Sequence, residues 1–242
     1  MIELNWFDAH CHFFELDEKG VLDKELNAAE EVGGFFCSAL SKEQFDWYIT
    51  NDKKYPIKWY AGIHPYYDKS DIKDLDKIIS LAQDKKIIGI GEIGLDKRGN
   101  DKEHQKEILL KQLDIATQFD LPVVFHVVGK YYELYKILKK NFPKIRGILH
   151  GFGGSQEIFE MFKKFDLAFS IGNKFDNDNL MKEIIKYGFF TVETDAPYQK
   201  PKGSDDDYNH LSNLGLIIKK MEKFTNSAKE IQYKSIKKIF NL

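Results

Sequence analysis

Arginine is nearly missing from this 242-residue chain: only Arg98 and Arg146 stand among its 36 basic residues. Two-pronged phosphate forks are therefore scarce, and lysine or metal ions must replace them. Cysteine is sparse as well. Cys11 and Cys37 do not make a disulfide framework, which fits a reducing compartment. No window approaches the ~20 apolar residues of a membrane span, and Glu3 and Asp8 interrupt the amino terminus before any signal-like apolar stretch. A soluble, cytoplasmic protein with no membrane partner is expected. An excess of one charge is also lacking. With 36 basic against 38 acidic residues the net charge is -2, so no broad positive field exists, and any grip on a polyanion must come from a local site or bound cations. No Pro-, Gly- or Ser-rich linker divides the chain and no long apolar strip is evident, which predicts one domain over residues 1–242 and a monomer.

What is present is an alternation of short apolar runs and amphipathic stretches, the mark of an α/β architecture with parallel strands. Strands are predicted at 2–7, 34–39, 58–63, 87–92, 122–127, 147–149, 167–171 and 189–194. Helix caps are read at Ser70, at Asn100 with Glu103, and at Ser227 with Glu230. His10, Ser38, His64, Glu92, His126, His150, Ile171 and Asp195 fall at or just past the predicted strand ends, 21 to 34 residues apart. A strand, loop, helix and loop need about 30 residues, so the spacing is that of eight β/α units. The expected fold is a single (β/α)8 TIM barrel, which gathers all strand ends at one mouth. An open doubly wound sheet would spread them along a line.

Asp8-Ala9-His10-Cys11-His12 carries the sharpest local signal. Alternate residues of a strand share a face, so His10 and His12 point together and can clamp a divalent ion, while Cys11 points away as an apolar filler. A pair of plain core histidines is the bland alternative. Glu92 interrupts an apolar strand, and a buried carboxylate there must meet a cation or an ion-pair partner. Gly89, Gly91 and Gly94 formally fit G-x-G-x-x-G, but they lie within the strand rather than opening a helix, so a phosphate loop is rejected; they are expected to make room for ligands. His126 and His150 end apolar runs, and Asp195 follows Thr-Val-Glu-Thr, where Glu193 shares its parity. This nitrogen and oxygen donor set, without thiolate, suits Zn, Mn, Mg, Fe or Ni at a hydrolytic centre.

Six segments in order, Asp-Ala-His-Cys-His at 8–12, Gly-Ile-His-Pro at 62–65, Ile-Gly-Glu-Ile-Gly-Leu-Asp at 90–96, His126 after Leu-Pro-Val-Val-Phe, His150-Gly-Phe-Gly-Gly, and Glu-Thr-Asp-Ala-Pro-Tyr at 193–198, resemble the TatD family of metal-dependent deoxyribonucleases. The resemblance spans essentially the whole chain. It implies a distorted amidohydrolase-type barrel holding two divalent ions (Mg, Mn or Zn). His10, His12 and Asp195 would bind one ion, His126 and His150 the other, and Glu92 would bridge them. His64 would contact the scissile phosphate or a water, with a supporting role behind the ligands as the alternative. The chain also departs from the family pattern: Tyr66 stands where a second His is usual, Val128 where an Arg is usual, and Lys202-Gly203 and Asn209-His210-Leu211 replace later family residues.

The implied activity is hydrolysis of DNA ends or a small phosphodiester by a metal-activated water, with Glu92, Asp195 and His64 in catalytic roles and Asp195 accepting the water's proton. Tyr66, Tyr67 and Tyr198 would lie near the mouth, where bases can stack. Two rivals remain: an amidohydrolase-like enzyme acting on a lactone, amide or phosphotriester, and an inactive metal- or nucleic-acid-binding protein. Bridging by Glu92 rather than a modified lysine favours the nuclease.

Overall fold

The computed structural model describes residues 5–99 and 101–242. Strands β1 (Trp6–Cys11), β2 (Val32–Ala39), β3 (Ile57–Ala61), β4 (Ile90–Asp96), β5 (Val123–Val128), β6 (Arg146–Leu149), β7 (Asp166–Ile171) and β8 (Phe190–Val192) pair in chain order, every pair parallel. The ring is drawn together beyond the last strand: Asp195 N–H donates to the His10 carbonyl at 2.9 Å, and His12 N–H to the Ala196 carbonyl at 2.8 Å. A (β/α)8 barrel results. The segment that closes it is the one that carries Asp195.

Around it lie α1 (Phe13–Glu18), α2 (Leu22–Ala28), α3 (Lys42–Asn51), α4 (Leu75–Gln83), α5 (Lys102–Gln118), α6 (Tyr131–Asn141), α7 (Gln156–Phe162), α8 (Asp178–Tyr187), α9 (Leu214–Glu222) and α10 (Ala228–Phe240). Side-chain oxygens start several of them, because the first helical N–H groups have no partner within the helix. Ser41, Asp101, Ser155 and Asn177 accept from Gln44, His104, Ile158 and Leu180 N–H groups. The caps read from sequence shift accordingly. Asn100 lies outside the described residues; Ser70 bonds the Leu40 carbonyl while Asp71 caps the turn before α4, and Ser227 makes no side-chain cap bond. Among the described residues no helix is long and apolar enough to cross a membrane.

Two apolar layers form. One fills the space between strands and helices; the other, built from Ala9, Phe36, Tyr60, Val124, Ile148 and Ala168, fills the barrel itself. Helix α10 plugs the base of that interior with Ile236, Ile239 and Phe240, and the rings of Phe36 and Phe240 stack with centroids 4.7 Å apart. Polar bonds seat the plug: Gln232 donates to the Phe7 carbonyl, Ser235 accepts from Phe190 N–H, and Arg146 donates to the Ile239 carbonyl.

Two strands run further toward the mouth than their apolar runs predict. β1 extends to Cys11 rather than stopping at 7, and β4 runs to Asp96 rather than stopping at 92; of the predicted first strand, residues 2–4 lie outside the described residues. Polarity reads as a strand end only where water waits, and here the polar side chains turn into an enclosed mouth. Glycine allows the tight spacing this needs. A Cβ on Gly94 (φ +154°) would lie 1.8 Å from the His126 carbonyl oxygen, and one on Gly91 2.7 Å from Val124 Cβ. The glycines of β4 therefore admit the neighbouring strand, and Gly94 also lines the cavity beside the mouth.

Replacing Phe240 by Ala should open a void beneath the barrel and lower unfolding free energy by about 3 to 5 kcal/mol. Urea denaturation measures this; a loss below about 1 kcal/mol would show that α10 does not seal the base.

Candidate metal centre

The mouth residues are delivered by six strands, β1 supplying two of them. His10 lies in β1 and His12 one residue beyond it; Glu92 lies within β4, His126 in β5, and His150 follows β6 directly. His64 and Asp195 each sit three residues past β3 and β8. Cys11, between the two histidines, points away into the outer layer, its sulfur 3.6 Å from that of Cys37, and both cysteines are free.

The side chains meet around one carboxylate. Glu92 Oε1 lies 3.4 Å from His10 Nε2 and 3.6 Å from His12 Nε2, while Oε2 lies 2.9 Å from His150 Nε2 and 3.5 Å from His126 Nδ1. Asp195 Oδ1 completes the first group, 3.3 Å from His10 Nε2 and 3.1 Å from His12 Nε2. Glu92 thus faces a different donor set with each oxygen. His64 stands at the edge, its Nε2 3.9 Å from Oε2 and its ring 4.2 Å from that of His126. The two remaining histidines lie elsewhere: His104 is exposed on α5 and His210 pairs with Glu25.

Behind this cluster, further groups fix which nitrogen of three of the rings faces inward. His150 donates through Nδ1 to Glu193 Oε1 at 3.3 Å, His126 through Nε2 to Asp96 Oδ2 at 2.9 Å, and His10 Nδ1 meets the Tyr60 hydroxyl. A ring that donates on one side presents a lone pair on the other, the arrangement of metal-binding imidazoles. Asp8 works at the backbone level. Its carboxylate accepts from Thr194 N–H at 3.0 Å, Thr194 Oγ1 at 2.6 Å and His10 N–H at 3.2 Å, tying the two ends of the ring together. Asp195 is held with φ +57° in the left-handed region, a strained setting for a non-glycine residue, and Gln199 Nε2 grips its Oδ2 at 2.5 Å.

Sequence reading singled out Glu193 but not Asp96, Tyr60, Asp8 or Gln199. Asp96 had a usable signal, the same strand parity as Glu92. Tyr60 had none, because a tyrosine in an apolar run reads as core.

Electrostatics mirror the crowding. Burial pushes the Glu92 carboxyl up, but His10, His150 and His126 outweigh it and hold it well below the usual carboxylate range. Burial likewise works against a charged His12, yet its hydrogen bond to Asp195 and the charges of Glu15 and Glu92 raise it to about 9. His150 is raised by Glu92 and Glu193 against the pull of burial. His64 goes the other way: burial and the neighbouring His126 lower it to about 3, so it stays neutral. Asp8 is pushed up to about 7 by burial.

The donor set fits divalent cations. Glu92 Oε1 is buried with no hydrogen-bond partner among the described residues, and His10 and His12 Nε2 face each other at 3.2 Å beside carboxylate oxygens. Buried polar atoms left without partners are costly unless an ion joins them. The groupings His10–Glu92–His150, His10–His12–Asp195 and His64–Glu92–His126 each hold three ligand atoms within 4.8 Å of one another.

The model of TatD-related DNases matches residues 7–241. The chain belongs to that family. It is 25% identical to the uncharacterised metal-dependent hydrolase MJ1582 of Methanocaldococcus jannaschii, over 99% of this chain and 98% of that one. The crystal structure of YjjV, a TatD homologue from Escherichia coli, superposes with a TM-score of 0.84 at 25% identity, covering 99% of each chain. The human protein named deoxyribonuclease TATDN3 is 26% identical over 81% of this chain and 79% of its own. Membership makes the chain a metal-dependent hydrolase. Two of its departures from the TatD pattern lie near Asp96 and Arg98: Val128 ends β5 in register with Asp96, and the half-exposed Tyr66 lies under the Arg98 guanidinium at 4.6 Å.

Protonated imidazoles must give up their protons to bind a cation, so metal uptake should release protons and metal affinity should fall as pH drops below about 9, where His12 gains its charge. Calorimetric titration with Mn in buffers of different ionisation enthalpy counts the protons; uptake without release would overturn the assigned charge states. Glu92→Ala should lower the amount of metal the protein binds.

Proposed function

We propose that this chain is a two-ion phosphodiesterase that trims DNA ends at the barrel mouth. The observation that carries this reading is the split environment of Glu92, whose Oε1 faces His10 and His12 while Oε2 faces His126 and His150. Under it, His10, His12 and Asp195 would hold one ion and His126 and His150 the other, with Glu92 offering an oxygen to each. Divalent ions in such a pair supply a hydroxide nucleophile at neutral pH and offset the charge that builds on phosphoryl and leaving oxygens.

The chain's own groups then have separate tasks. Asp195 turns Oδ1 to the site while Gln199 fixes Oδ2, so the carboxylate is presented in one orientation to take the proton of the attacking water. Its pKa is held far below neutral by hydrogen bonds from His10 and His12 that outweigh burial, so it is ionised at working pH. His64 accepts Tyr66 N–H on Nδ1 at 2.9 Å, leaves Nε2–H on the mouth side, and donates it to a phosphate oxygen as a neutral imidazole. The scarcity of arginine is tolerable here because the ions carry the positive charge. A glutamate rather than a modified lysine at this position of β4, and the deoxyribonuclease name of a human relative, both support a phosphate ester over an amide or lactone.

Incubation with Mn or Mg and end-labelled single-stranded DNA should release nucleotides, and EDTA should stop it reversibly. Glu92→Gln and Asp195→Asn should each lower kcat by about 10³-fold or more. Turnover of a lactone or aryl phosphotriester without nucleotide release would replace this reading with the amidohydrolase one; bound metal without turnover of either would leave a binding protein.

A further inference from the structure

Beside the metal cluster, past His64, a cavity of about 520 Å³ opens between the loop after β3 and the loop between β4 and α5. That is within the roughly 300–1,000 Å³ of small-molecule sites. Its walls are pre-set. Gln105 pairs through its side-chain amide with both Asp96 N–H and the Asp96 carbonyl, at 2.9 and 3.1 Å, and Gln112 does the same for Ile63, at 2.6 and 3.0 Å. The cations and aromatic rings on its wall include His64, Tyr66, Lys69, Arg98 and His104, with the carboxylates of Asp68 and Asp71 on the same loop after β3.

Arg98 is placed there deliberately by the local sequence. Asp96 to Gly99 form a turn closed by Gly99 N–H on the Asp96 carbonyl at 3.2 Å, and a Cβ at Gly99 would lie 2.1 Å from Gln105 Nε2. Within that turn the Asp96 carboxylate accepts Arg98 N–H at 2.8 Å and Nε–H at 2.9 Å, together with Nη2. Asp96 is fully buried, whereas the Arg98 side chain is 49% exposed. Among the described residues the guanidinium bonds only to Asp96, so Nη1 remains to receive an anion. The same guanidinium lies over one face of Tyr66, which is 51% exposed. Arg146, the second arginine, is spent at the barrel base on Asp120 and the Ile239 carbonyl. One rigid cation and one exposed aromatic ring therefore share a cavity whose inner edge is His64. A nucleotide has the matching pair of parts, a phosphate and a flat base.

We propose that this cavity is the subsite for the nucleotide next to the cleaved bond, with Arg98 binding its non-scissile phosphate and Tyr66 stacking on its base. The assignment rests on reading the metal centre as a phosphodiesterase, and it favours a polynucleotide over a small phosphodiester as substrate.

Calorimetry of the metal-loaded protein with deoxyadenosine 5′-monophosphate and with deoxyribose 5-phosphate tests it, with metal content measured on every variant. Arg98→Gln should weaken both ligands at least about tenfold, because a charge-assisted pair is lost. Tyr66→Leu should weaken only the nucleotide, by about fivefold or more. Unchanged affinity in Arg98→Gln overturns the subsite. So does loss of bound metal in that variant, which would make Arg98 a support for Asp96 and His126. Nucleotide binding that depends on Arg98 in a protein that cleaves no DNA would sink the nuclease reading and keep this subsite. DNA cleavage with Arg98-independent nucleotide binding would do the reverse.

Discussion

A carboxylate enclosed by imidazoles at the centre of a barrel mouth is the constraint to which the rest of the structure answers. Glu92 is 3% exposed, and an ionised side chain at that depth costs several kcal/mol unless positive charge surrounds it. Four imidazoles approach its two oxygens from opposite sides, which makes the charge tolerable and leaves a shape suited to cations. Without the carboxylate the histidines would repel one another as they gained protons. Removing the histidines would strand the carboxylate. Neither half is stable alone, so the fold must bring β1, β4, β5 and β6 to the same point at once.

That requirement explains where the polar residues outside the cluster are spent. Barrel closure and site assembly use the same atoms: Asp8 holds Thr194, Asp195 N–H bonds the His10 carbonyl, and His12 N–H bonds the Ala196 carbonyl. A strained Asp195 backbone persists because these bonds over-determine it. Asp96, Glu193 and Tyr60 each hold one ring nitrogen from behind. The ligand side of every such ring is decided outside the cluster.

Much of this was legible in the residues. Eight apolar runs at the spacing of β/α units and polar residues at their ends predict the barrel, and the residues named from those ends, His10, His12, Glu92, His126, His150 and Asp195, are brought within contact of one another. Strand limits at the mouth were misread, because Asp8, His10 and Asp96 look like loop residues while their backbones continue the ladder. The glycines of β4 were read only in part for a related reason: sequence shows that a side chain is missing, not that a neighbouring strand takes most of its space. Tyr60 was unreadable, since its hydroxyl finds a partner only after β3 is set beside β1, whereas Asp96 could have been found by counting two residues at a time from Glu92.

The scarcity of arginine takes on a different meaning once positions are known. In a chain of near-zero net charge, long-range attraction contributes little to substrate capture, so binding must come from groups fixed in advance. Arg98 is fixed by its own backbone and side chain on one buried carboxylate, and that carboxylate also orients His126. Asp96 therefore joins the cavity to the metal cluster, hydrogen-bonded to Arg98 on one side and to His126 on the other. Under the proposed subsite, an anion on Arg98 would draw on the same carboxylate that aligns His126, so occupancy of the cavity and geometry at the cluster would be linked through Asp96.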